Sequence, residues 1–175
     1  MFSNRDLKFT FKGKMKNSIL VQLMAFVLIC FSVLPASSQP IANCGKTEGV
    51  ALYHHFGIIK KKDSGFIKDE ITSGLTTIQK TGPGSYDILM VDSRKKIMSL
   101  TQEGGKVILL RKGKSDATFL HYYPGMVIEI YTIWVDAEGK SSYDLIQSKG
   151  GDGMPIHKSA VLTGQCDAIR FELLN

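Results

Sequence analysis

Cysteine is scarce in this chain, three residues in 175, and no two are arranged as Cys-x-x-Cys. That removes the zinc-ribbon and thiol-redox signatures, which need two thiolates presented by one tight turn. Gly-x-Ser-x-Gly is missing too: Gly82-Pro83-Gly84-Ser85-Tyr86-Asp87 lacks the closing glycine and leads into a strand, so no strained elbow for a nucleophilic serine is encoded. Two Gly-Lys-Ser triplets, at Gly113-Lys114-Ser115 and Gly139-Lys140-Ser141, resemble phosphate loops. A phosphate loop requires a glycine five places earlier, and those positions hold Ile108 and Trp134 inside strand-like runs. Both triplets read as hairpin turns. There is no internal repeat, no low-complexity linker and no motif for a cofactor.

Net charge is also small once the leader is set apart. A basic stretch with Arg5, Lys8, Lys12, Lys14 and Lys16 precedes an apolar run over residues 19–34, followed by Pro35 and the small residues Ala36, Ser37 and Ser38. This is the arrangement of a bacterial export signal, residues 1–38, cleaved before Gln39, with Met15 as an alternative start. The apolar run is shorter than the roughly 20 residues that a spanning helix needs, so no integral membrane span is expected after cleavage. Neither Ile29 before Cys30 nor Asn43 before Cys44 suits a lipoprotein site. The leader carries five of the 22 basic and one of the 16 acidic residues, leaving 17 against 15. Such a balance is no electrostatic footprint for nucleic acid. A periplasmic or secreted location follows, and residues 39–175 suit a single domain with one core.

Two cysteines remain after cleavage, Cys44 near the start and Cys166 near the end. In an oxidising compartment an isolated pair forms a disulfide, so Cys44–Cys166 is expected to join the first and last elements.

What the chain has in quantity is β-prone sequence. Residues 126–149, MVIEIYTIWVDAEGKSSYDLIQSK, are two runs of β-branched and aromatic residues around Asp136-Ala137-Glu138-Gly139, a hairpin loop with Gly139 at positive φ. Further runs at 50–59, 74–81, 86–92, 96–101, 106–112 and 118–123 are separated by turn residues. Residues 39–49 read as an irregular arm, 66–73 fit neither pattern well, Pro155 opens a helical turn through Ser159, and 168–174 alternate as a closing strand. The spacing predicts an all-β domain, an antiparallel meander of about eight to ten strands forming a barrel or a sandwich.

Chemistry is thinly signalled. His54 and His55 point to opposite faces of an extended strand, and neither they, His121 nor His157 stand at metal-ligand spacing, so no metal site is expected. Asp87, Glu129 and Asp144 fall in strands, where they read as solvent-facing. His121, Tyr122, Tyr123, Tyr131 and Trp134 lie on neighbouring strands and read as core or rim. The basic clusters 60–62, 94–96 and 111–114 read as hairpin tips, attractive to anionic envelope polymers if gathered at one end. Along 126–135 both faces are largely apolar, so another part of the chain covers one of them or it is a contact surface, for a partner or a homodimer. The functional expectation is an exported, non-catalytic β-domain binding another protein or a cell-envelope component. A small apolar-ligand carrier using the barrel interior is the alternative, and a hydrolase with a site assembled in space comes third.

Overall fold

The strongest sequence signal is realised as drawn. In a computed structural model, which describes residues 38–71, 74–91 and 95–175, the hairpin consists of Val127–Val135 and Ser141–Lys149, with Gly139 at φ 82° and the Asp136 carboxylate accepting from the amides of Glu138 and Lys140. The leader, its cleavage site and Cys30 lie outside the described residues, as do Thr72, Ser73 and the turn Asp92-Ser93-Arg94.

Numbered in chain order, the strands are β1 (Gln39–Tyr53), β2 (Gly65–Ile71), β3 (Thr76–Gly82), β4 (Ser85–Val91), β5 (Ile97–Ser99), β6 (Lys106–Lys112), β7 (Asp116–Tyr123), β8 (Val127–Val135), β9 (Ser141–Lys149) and β10 (Lys158–Cys166). The described residues form one compact unit. All pairings are antiparallel, in the order β5-β4-β3-β1-β10-β9-β8-β7-β6, with β2 attached to β1. The sheet curls into a half-barrel: β4 faces back toward β6, the Tyr86 ring meets Phe119 of β7 edge-on with centroids 5.4 Å apart, and the Tyr131 hydroxyl reaches Met90 Sδ at 3.6 Å.

β1 organises the whole sheet. It pairs with β10 from Cys44 to Tyr53, and on its other edge with β3 through Cys44 and β2 from Thr47 onward; the irregularity at Gly45-Lys46 is where it changes from β3 to β2. Residues 39–49 are therefore strand, not an irregular arm. The strand ends at Tyr53, so His54 to Ile59 turn away and lead to a 3-10 turn at Lys61–Asp63.

Three other expectations change. The expected meander is broken between β5 and β6, because among the described residues β5 pairs only with β4 and the chain then crosses to the opposite edge to start β6. Pro155 opens a bend, and the segment after it is β10, whose Ala160 and Leu162 point inward while Val161 points out. Residues 168–174 do not form a strand: beyond Cys166 the tail meets β1 through Asp167 N to Asn43 O and Arg170 N to Ile41 O, contacts two residues apart on β1 but three apart on the tail, so no regular ladder continues, and it then closes as a 3-10 turn, Phe171–Leu174. Its apolar residues still pack on the core, as their alternation implied.

The concave side is solid. Phe119, Tyr131, Ile133, Tyr143, Leu145 and Leu162 from the β7–β10 arm meet Ile41, Ile78 and Ile88 from the β1–β3–β4 arm, all essentially without solvent contact. The Cys44–Cys166 disulfide forms at the seam, across directly paired residues of β1 and β10.

Candidate functional site

One charged group expected at the surface is buried in the core. Glu129 is on the inward face of β8, 3% exposed, in line with Tyr131 and Ile133. Antiparallel register puts His121 of β7 and Gln147 of β9 directly beside it. The Tyr131 hydroxyl donates to Glu129 Oε2 at 2.8 Å, His121 Nδ1 lies 2.9 Å from the same oxygen, and Gln147 Nε2 donates to Oε1. Burial pushes the Glu129 carboxyl upward, but the bonds from His121 and Tyr131, the Lys149 charge and the Gln147 amide outweigh it and hold the group below its ordinary value. Facing an ionised carboxylate, His121 Nδ1 carries the proton and donates. Tyr131 is raised well above a free tyrosine, first by burial and then by the adjacent Glu129 charge. Burial lowers Lys149, with Glu129 opposing that shift.

A hydrogen-bonded His, Glu and Tyr could move protons, but all three side chains are buried among the core residues. His121 Nε2 has no partner and packs against the backbone of Gly105, so closely that a single added carbon there would lie 2.4 Å from the nitrogen. The cluster is built to hold three strands together. The clue in the sequence was the glutamate's position on the same face as Tyr131 and Ile133, which periodicity alone does not convert into burial.

Of the other two carboxylates, Asp87 departs from a solvent-facing role and Asp144 stays on the outer face. Asp87 is 4% exposed and organises the chain after β5, accepting from Ser99 Oγ at 2.7 Å and from the amides of Ile88 and Thr101. Asp144, on the outer face of β9, accepts from Trp134 Nε1 at 3.1 Å. The aromatic group divides: His121 and Tyr131 point into the core, while Tyr122 and Trp134 stand on the outer face. His54 and His55 are exposed in the turn after β1, and His157 stacks on Phe56 with centroids 3.6 Å apart. Among the described residues no three His, Cys, Asp or Glu side chains converge as metal ligands. Residues 60–62 follow the end of β1, whereas 111–114 sit at the opposite end of the strands, so these two basic tips do not form one charged end.

The outer face carries the larger surprise. The register aligns Ile108, Leu120, Ile130, Ile146, Val161 and Val50 in one row across β6, β7, β8, β9, β10 and β1. Ile146, Val161 and Val50 are each at least half exposed, at 50%, 58% and 53%. The second apolar face of β8 belongs to this row, and Ile128 beside it is 56% exposed, so the expected cover does not shield it. Where the β7–β8 turn meets the end of β9, Leu120, Tyr122, Met126, Ile128 and Pro124 line an apolar groove of about 440 Å³ that continues the row. At the other end of the same face lies a mixed groove of about 510 Å³ around Trp134.

The chain matches no protein-family model, no curated protein and no solved structure. Among the described residues no helix is long and apolar enough to cross a membrane.

Proposed function

We propose that this is an exported, non-catalytic binding domain that docks another protein through the outer face of its half-barrel. The observation that carries this reading is the six-residue apolar row, contiguous across six strands, with Ile108, Ile146, Val161 and Val50 exposed and a groove at its end. Strands about 4.8 Å apart make the row about 24 Å long. That matches the width of a standard protein interface of about 800 Å² per partner. Tyr122 and Met126 at the groove are residue types enriched at the centres of such interfaces, and the polar row Thr118, Thr132, Asp144, Thr163 alongside supplies a rim. Export accords with the leader and with the Cys44–Cys166 bridge, a bond maintained in the periplasm or outside the cell.

A carrier for an apolar molecule would need an interior cavity, and Phe119, Tyr131 and Tyr143 fill the concave side. The filled interior favours docking over carriage. A hydrolase is disfavoured by the sealed surroundings of His121.

Photo-crosslinking from position 146, in cells that make the protein, tests the proposal. A discrete protein adduct is expected that disappears with Val161→Lys, while the same probe at exposed Lys62 yields none. Equal adducts from both positions, or an adduct insensitive to Val161→Lys, would overturn it. A small apolar mass released from the purified protein on denaturation would restore the carrier reading.

A further inference from the structure

The groove around Trp134 has a different character from the apolar row and points to a different ligand. It exists because β1 changes partner: at Gly45-Lys46 the strand leaves β3 and turns toward β2, opening a space of about 510 Å³ on the outer face between β1, β10 and the β8–β9 hairpin. That is within the range of roughly 300–1,000 Å³ typical of small-ligand sites.

Trp134 is the only tryptophan in the chain. Its side chain crosses β9, where Nε1 is held by Asp144 Oδ2 at 3.1 Å and the small Ser142 directly opposite is buried. With its one donor already satisfied, the indole offers the groove a fixed aromatic face and no hydrogen-bonding edge. An aromatic face is electron-rich and attracts partly positive C–H groups. Around it stand Lys46, Lys140, Glu48, Glu70, Thr163 and Gln165. These supply both donors and acceptors in abundance, and two lysines against two glutamates leave no net charge. Among the described residues Glu48 is engaged by an exposed pair with Lys68 at 3.5 Å, a contact weak enough to yield to a ligand.

A polyanion would meet two carboxylates here, and an apolar ligand would strand six polar side chains. A pyranose ring fits both requirements: one face of C–H groups for the indole, and hydroxyls around its edge that donate and accept. We propose that this groove binds a neutral oligosaccharide, stacked on Trp134 and hydrogen-bonded through Glu48, Glu70 and Thr163. The site adjoins the docking row, sharing Thr163 with its rim, but does not depend on the docking reading.

Because Trp134 is the sole tryptophan, fluorescence of the purified exported protein reports directly on this groove. Neutral tetrasaccharides of glucose, mannose and N-acetylglucosamine are titrated to about 5 mM, which more than half-saturates a site with a Kd of about 1 mM. At least one is expected to shift the emission saturably. By calorimetry with that sugar, Trp134→Phe retains binding within a few-fold, and Trp134→Ala weakens it at least tenfold. Thr163→Val and Glu48→Gln each weaken it by about three- to tenfold, the loss of one hydrogen bond. No response to any of the three sugars, affinity unchanged by Trp134→Ala, or tighter binding of a sulfated polysaccharide than of all three would each overturn the proposal. Loss of the cross-link at position 146 with sugar binding intact would reject the docking proposal alone.

Discussion

Replacing Glu129 distinguishes a buried network that needs its charge from one that needs only its connections. Three side chains point hydrogen-bond donors at this carboxylate. In Glu129→Gln the amide oxygen can still accept from Tyr131 and His121, while the new NH2 would face the Gln147 amide nitrogen. Gln147 has a remedy, because its own Oε1 lacks a partner and a turn of the amide brings that oxygen round to accept. Connectivity survives and only charge assistance is lost, a cost of about 1–2 kcal/mol. Glu129→Met has nearly the same bulk but accepts nothing. It strands three buried donors at about 1–3 kcal/mol each, partly offset by relief of desolvating a charge, for a net loss of about 3–5 kcal/mol. Urea unfolding of the disulfide-intact protein, followed by Trp134 fluorescence and circular dichroism, measures both. pH adds an independent check. Glu129 is held below its ordinary value of 4.5 in the fold, so its contribution is present above about pH 4.5 and is lost as pH falls through the lower, folded value. Glu129→Gln should flatten that part of the acid-stability profile. A methionine variant as stable as the parent would refute the network account, since it would mean that the three donors need no acceptor.

Two further outcomes follow from the same geometry. Cys44–Cys166 closes a loop with a sequence separation of 122 residues, worth up to about 4.9 kcal/mol in the chain-entropy model, so Cys166→Ser should lower Tm by about 10–20 °C in differential scanning calorimetry. A drop under about 3 °C would show that the denatured chain gains little freedom from the break. Gly105→Ala places a carbon 2.4 Å from His121 Nε2 and 2.8 Å from the Leu100 carbonyl oxygen, and should cost about 1–3 kcal/mol in chemical denaturation; wild-type stability would mean that the chain around Gly105 is more yielding than the packing implies.

The all-β class, the central hairpin with Gly139 at its turn and the pairing of the two cysteines were legible because each depends on information local to a segment or on a count of two. Period-two runs, turn glycines and an even number of remaining cysteines need no knowledge of neighbours. Strand partners do need it. Residues 39–49 lack a strong alternation of their own and become strand because distant segments supply the hydrogen bonds, β3 through Cys44, β10 from Cys44 and β2 from Thr47. Conversely, 168–174 alternate well yet remain irregular, because the tail meets β1 at Asn43 and Ile41 with three residues on its own side against two on β1, and no ladder continues. The break between β5 and β6 follows the same logic: regular spacing along the chain does not say whether the next strand joins the same edge or the opposite one.

The candidate surfaces were least legible for that reason. Val50, Ile146 and Val161 are distant in sequence and unremarkable singly; only the register of six strands lines them up. Trp134, Thr163 and Glu48 share a groove because a bulge in β1 opens it. What the sequence by itself determined was the kind of backbone and its covalent closure, since backbone preference is set residue by residue. What only the tertiary structure decided was which side chains face water and which face one another, because that depends on strand order and register, and a single step of register exchanges the inside of a sheet for the outside.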